Sequence, residues 1–141
     1  MRKLFYILMA MTFTFTACEL ETSGNGDLDG LWKMQGIDSL ASGSFVDMSQ
    51  RQVAYSVQMN LLQLSGIDID SSVFCRFEHK GDSLIIYDPR AKDTINSSIT
   101  NIEVLRPYGI TRMPMPFHID ALSGSRMILK SDELRLYFEK Y

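Results

Sequence analysis

The chain has 141 residues, a formal net charge of −3, 45% hydrophobic residues, two cysteines and two histidines. That length suits one ordinary domain, and a near-average composition excludes collagen-like, low-complexity and wholly disordered chains. The acidic balance argues against nucleic acid, which calls for a basic face, and so few cysteines and histidines build neither a disulfide scaffold nor a rich metal site.

The leading segment is a basic start, Arg2-Lys3, followed by an uncharged stretch from Leu4 to Ala17. A helix needs roughly 20 apolar residues to cross a bilayer, so this shorter run predicts a cleaved signal peptide over residues 1–17 and not a permanent span. Phe15-Thr16-Ala17-Cys18 resembles a bacterial lipobox, with Phe15 standing where leucine is usual. The resemblance implies a diacylglyceryl group on the sulfur of Cys18 and acylation of its freed amine. Two or three acyl chains hold a protein stably at a membrane, whereas one holds it marginally. Loss of Arg2 and Lys3 takes the formal balance from −3 to −5, so the lipid, and not charge, would supply attachment to anionic lipid. Residues 18–27 then read as a lipidated terminus and polar tether. Glu19 and Glu21 either resemble the surface-export signals of some Gram-negative lipoproteins or belong to a solvated linker.

From Leu28 to Tyr141 the chain alternates between apolar and polar residues, the mark of strands with one buried face. Leu31–Ile37 is the first run, and Val53–Leu61 the clearest, with a slip of phase at Leu61-Leu62 that predicts a β-bulge. A helical turn is admitted at Asp47–Gln52. Val73–Glu78 and Leu84–Tyr87 flank Lys80-Gly81-Asp82 as a hairpin, which Asp88-Pro89 is expected to stop. Ile102–Val104, Phe117–Ala121, Met127–Leu129 and Leu134–Phe138 complete about eight short strands. The pattern predicts an all-β fold, a small antiparallel up-and-down barrel whose closure removes exposed edges.

Gly30-Leu31-Trp32, holding the chain's single tryptophan, resembles the Gly-x-Trp signature that opens the first strand of lipocalins. Leu134-Arg135-Leu136-Tyr137-Phe138 resembles their closing strand, in which an arginine packs over that tryptophan. With the lipobox, the pattern is similar to lipocalin-like lipoproteins of Gram-negative bacteria. The resemblance covers the whole mature domain and implies structural roles for Gly30, Trp32 and Arg135, with Arg135 lying against the Trp32 ring. The long scaffold loop and terminal helix of the family are not evident, and a small eight-stranded barrel either fills itself or holds one ligand.

Catalytic patterns are weak. Gly81-Asp82-Ser83-Leu84 spells a hydrolase signature, but it joins two strands, and the later histidine, His118, has Met115 three residues before it where an aspartate is required. Asp68, Asp70 and Ser72 begin like a calcium loop, yet Val73 and His79 occupy the places of its glycine and glutamate. Cys75 reads as a buried free thiol. The expectation is therefore a non-enzymatic binding protein, without cofactor or metal, anchored to the outer membrane of the cell envelope on its periplasmic or outer side. An apolar small molecule would enter the barrel or its mouth, with Trp32, Tyr55, Val57, Met59, Phe77 and Leu136 lining the interior and Tyr108 and Met113 the rim. The alternative is a filled barrel that engages an envelope protein through its loops as an interaction or inhibitor module.

Overall fold

Alternating side chains give each strand one apolar face, and the chain buries those faces by curling its sheet shut. The computed structural model describes residues 24–66, 72–91 and 98–141. The lipobox, Cys18, Glu19, Glu21, Asp68 and Asp70 lie outside the described residues. The strands are β1 (Gly30–Ser39), β2 (Phe45–Asp47), β3 (Ala54–Gln58), β4 (Leu61–Ser65), β5 (Val73–Lys80), β6 (Ser83–Ala91), β7 (Met115–Leu122), β8 (Arg126–Lys130) and β9 (Leu134–Lys140). Among the described residues three short 3₁₀ helices accompany them: η1 (Gly26–Leu28), η2 (Ile102–Val104) and η3 (Arg106–Tyr108). No helix among the described residues is long and apolar enough to cross a membrane.

Each strand from β3 to β9 pairs antiparallel with the next, and β9 returns to pair with β1 from Trp32↔Lys140 to Ser39↔Leu134. Both β2 and β3 lie on the other side of β1, β2 opposite Gly36–Asp38 and β3 opposite Gly30–Lys33. They form one stave interrupted by residues 48–53, where Met48 N–H donates to Gln35 O and Met34 N–H to Val53 O. The architecture is thus a closed, eight-stranded, up-and-down barrel.

Four local expectations need correction. The slip at Leu61-Leu62 is a hairpin turn and not a bulge: β3 ends at Gln58, and Met59 adopts φ +55° before β4 begins. The bulges fall at Met34/Gly36, Phe74/Arg76 and Ile119/Ala121. Asp88-Pro89 does not stop β6, because the pair forms a bulge opposite Cys75, with Asp88 at φ +52°, and the strand continues to Ala91. Ile102–Val104 is a 3₁₀ turn, capped by the Asn101 side chain accepting from Glu103 N–H. A three-residue alternation does not distinguish a strand from such a turn. Residues 48–52 hold only a turn, with Arg51 N–H donating to Met48 O.

The interior is filled with side chains. Trp32, Met34, Tyr55, Leu62, Leu64, Ile86, Met115, Met127, Leu129, Leu136 and Phe138 are all buried in one cluster. Across its centre the rings of Tyr55 and Phe138 stand 4.7 Å apart at 53°, a favourable tilted contact. One end of the barrel carries the 59–60, 81–82 and 123–125 turns and is crossed by η1, whose Leu28 is buried. The other is covered by the strap from Ile99 to Pro114, which buries Leu105, Tyr108 and Ile110. The Tyr55 hydroxyl donates to the Tyr108 carbonyl and so ties the strap to the barrel wall.

Cys75 faces inward from β5, opposite the β6 bulge, and is buried. Burial first, and then the charge of Asp88, push its thiol up to about 12. A thiol so protonated is unreactive. In full-length protein carrying Cys18→Ala, a thiol reagent at pH 8 should label Cys75 at least ~100-fold slower in the native than in the denatured state. The same shift has a stability consequence. The folded state holds the proton more tightly than the unfolded chain, whose thiol has the ordinary value of 9.0. That contribution is therefore complete below pH 9 and is lost as pH rises towards about 12. Tyr55, raised well above 10.0 by its own burial, acts in the same direction. Alkaline unfolding followed by circular dichroism should accordingly coincide with the release of both protons. Rapid native labelling or unchanged stability at pH 11 would contradict this.

Candidate functional site

Three of the eight predicted lining residues meet in one place, at the η1 end. There η1 and the start of β1 face the β3–β4 hairpin and the end of β5. The gap between them is a cleft of about 1140 Å³ open to solvent. Val57 and Phe77, both inward residues, form its floor; Leu31 and Met59 stand at its rim, Met59 being 63% exposed. Asn25, Ser56, Gln58, Asn60 and His79 add polar groups. The Asn25 amide holds the rim together by donating to Met59 O at 2.5 Å and to Asp29 Oδ1 at 2.8 Å. His79 Nε2 donates to Gly81 O at 3.0 Å. An apolar floor with convergent polar groups at its edge is the usual composition of a small-molecule site.

The remaining predicted residues lie elsewhere. Trp32, Tyr55 and Leu136 are sealed within the packed interior and line no part of this cleft. Met59 does not face the interior as expected, because the hairpin turn carries it outward. Tyr108 is wholly buried in the strap, and Met113 lines a separate cleft of about 320 Å³ with Ile99, Ile102 and Leu105. Neither forms a rim with Met59, since the strap and the hairpin occupy opposite ends.

Gly30 has φ +129° and borders the cleft, with Lys140 packed where a Cβ would stand. Trp32 donates from Nε1 to Leu28 O at 2.8 Å, fastening η1 beneath the barrel. The cation over its ring is Lys140 and not Arg135: Lys140 Nζ sits 4.7 Å from the ring centroid and donates to Asp27 O at 3.0 Å. Register explains the correction. Trp32 lies opposite Lys140, whereas Arg135 lies opposite Asp38 near the strap end and pairs with Asp120 at 3.2 Å.

Ser83 and His118 are cross-strand partners, and His118 Nδ1 lies 2.9 Å from Asp120 Oδ1. That hydrogen bond, with Arg135 nearby, holds the Asp120 carboxyl below the ordinary range. All three residues face solvent on the outer wall, where Gly81 serves the β5–β6 turn with φ +58°. The sequence reading missed this juxtaposition, since only the β6–β7 register creates it. It likewise missed Asn25, Leu31 and His79 in the cleft, having assigned Asn25 to the tether. Asn25 is instead tied to the barrel by its bonds to Met59 O and Asp29 Oδ1.

The family of lipocalin-like domains matches residues 11–141, and the chain belongs to it. That family is typically non-catalytic. The fold is similar to that of a lipocalin-like protein from Bacteroides uniformis, at 22% identity and a TM-score of 0.63, covering 82% of this chain and all of that one. An uncharacterized protein from Bacteroides eggerthii aligns at 17% identity and a TM-score of 0.53, covering 80% of this chain and 98% of the other. A protein from Burkholderia xenovorans aligns at 13% identity and 0.51, covering 80% and 82%. At these identities the likeness concerns the fold alone. No curated protein shows significant similarity to the chain.

Proposed function

We propose that this chain is a non-enzymatic binding protein of the bacterial cell envelope, held at the outer membrane by lipid on Cys18. Its ligand is an apolar small molecule, taken in the cleft at the η1 end and not inside the barrel. The observation that carries this reading is the placement of Val57 and Phe77, otherwise core residues, in the floor of an open cleft of about 1140 Å³. Measured pockets for small ligands run to roughly 300–1,000 Å³, so the space is sufficient.

A polarity-sensitive fluorescent fatty acid tests it. The full chain should bind the probe, and Phe77→Ser with Met59→Lys should weaken binding by about tenfold or more, as loss of apolar contact predicts. Circular dichroism would check that the double variant is folded. No binding, or equal binding by the variant, overturns the cleft assignment. In the same preparation Cys18→Ala should move the protein from the membrane to the soluble fraction, and retention there would refute the anchor.

The filled interior favours a second reading, a module that engages an envelope protein through its loops. Leu40, Phe45 and Val46 are each exposed near the strap end, Phe45 at 58%. Failure of the probe to bind would turn the choice towards it.

A further inference from the structure

We propose that the η1 end of the barrel rests on the lipid surface, so that the cleft opens against the bilayer. This rests on the lipid-anchor reading of Cys18. Five residues, Glu19 to Ser23, separate Cys18 from Gly24, where the described chain begins. Six extended residue steps reach at most about 20–22 Å. Gly24 leads directly into η1, so the tether leaves from the cleft end and keeps that end within about one domain diameter of the lipid.

The same end exposes large apolar side chains. Leu31, Met59, Leu61 and Tyr141 are 41%, 63%, 43% and 69% exposed. Tyr141 N–H donates to Leu31 O at 3.0 Å, and Lys33 Nζ stands 6.0 Å from the Tyr141 ring centroid. A tyrosine flanked by lysine suits the boundary between headgroups and acyl chains, where the ring is partly dry and the amine remains in water. Met59 adds a separate clue. It holds φ +55° at a turn tip where glycine or asparagine would sit with less strain, and the turn presents its side chain to solvent. Asp27, Asp29, Asp82 and Glu139 share this end with Lys33, Lys80, Arg126 and Lys140, so its charges balance. Apolar contact and not attraction to anionic lipid therefore seats it, and zwitterionic vesicles suffice. The short tether raises the effective concentration of the surface, so a contact too weak to hold a free protein is populated.

Trp32 lies at this end and is the native reporter. The lipidated full chain is reconstituted into phosphatidylcholine vesicles with and without phospholipid spin-labelled at the top of the acyl chain. Seating at headgroup depth should lower Trp32 emission about twofold in the labelled vesicles. Leu61→Glu with Tyr141→Glu, both outside the cleft, should abolish that quenching while Cys18 stays lipidated and fatty-acid probe binding is kept. Absent quenching in the lipidated parent, or quenching unchanged in the double variant, overturns the docking alone. A mass spectrum showing Cys18 without lipid overturns the anchor and the docking together. Phe77→Ser reports on the cleft and should leave the quenching intact; loss of quenching in that variant would count against a seat made by the rim.

Discussion

Trp32→Ala should lower the free energy of unfolding by about 3–5 kcal/mol, the range for removing a large aromatic from a packed core. The indole is completely buried, carries Lys140 on its face and holds Leu28 O through Nε1. Truncation would leave a cavity and also strand a buried carbonyl, each a recognised source of large losses. Trp32→Phe separates the two. It keeps most of the apolar volume but loses the hydrogen bond, so a smaller loss of about 1–3 kcal/mol is expected. Urea titration measures both, and amide exchange at Asp29, whose N–H donates to Gly26 O, should quicken in each variant because η1 is released. A loss below about 1 kcal/mol for the alanine variant would show that η1 is fastened by other contacts.

Gly109→Ala should cost about 2–4 kcal/mol, although it adds only one methyl group. Gly109 ends η3 at φ +79°, a conformation that strains a residue with a Cβ. The added carbon would stand 2.6 and 2.8 Å from the two methyl carbons of Leu136. Leu136 is fully buried, so it cannot swing into solvent, and either the strap or the barrel wall must shift. Leu136→Ala on its own should also destabilise by opening a cavity. In the double variant, however, the two losses should fall short of their sum, because the cavity accepts the new methyl. Strict additivity in the double-mutant cycle would remove steric conflict as the cause and leave only the backbone strain.

The closed barrel was legible because alternation survives wherever a strand has one wet and one dry face. Val53 to Val57 and Leu134 to Phe138 illustrate it, their alternate residues entering one core. β2 escaped notice for the same reason: Phe45, Val46 and Asp47 are all exposed, so nothing alternates. At Leu61-Leu62 the change of phase was visible, but a bulge and a two-residue hairpin produce the same signal in sequence. Turn chemistry gave no help, since Met59 occupies a conformation normally left to glycine or asparagine. The cationic partner of Trp32 depended on strand register, which sets Lys140 there in place of Arg135. The cleft was the least legible feature. It arises between η1, the start of β1, the β3–β4 hairpin and the end of β5, a meeting of elements that no periodicity records. Sequence located Val57, Met59 and Phe77 individually, and only the fold brings them to one opening.

The seam between β1 and β9 carries a consequence for biogenesis. These strands stand at opposite ends of the domain in sequence, with Trp32 opposite Lys140. A chain emerging amino end first therefore presents β1 long before its closing neighbour exists, leaving an adhesive border with unmet amides and carbonyls. Completion waits for β9, so this last stave acts as a latch, and a chain lacking that strand would be left as an open ribbon ready to join its neighbours.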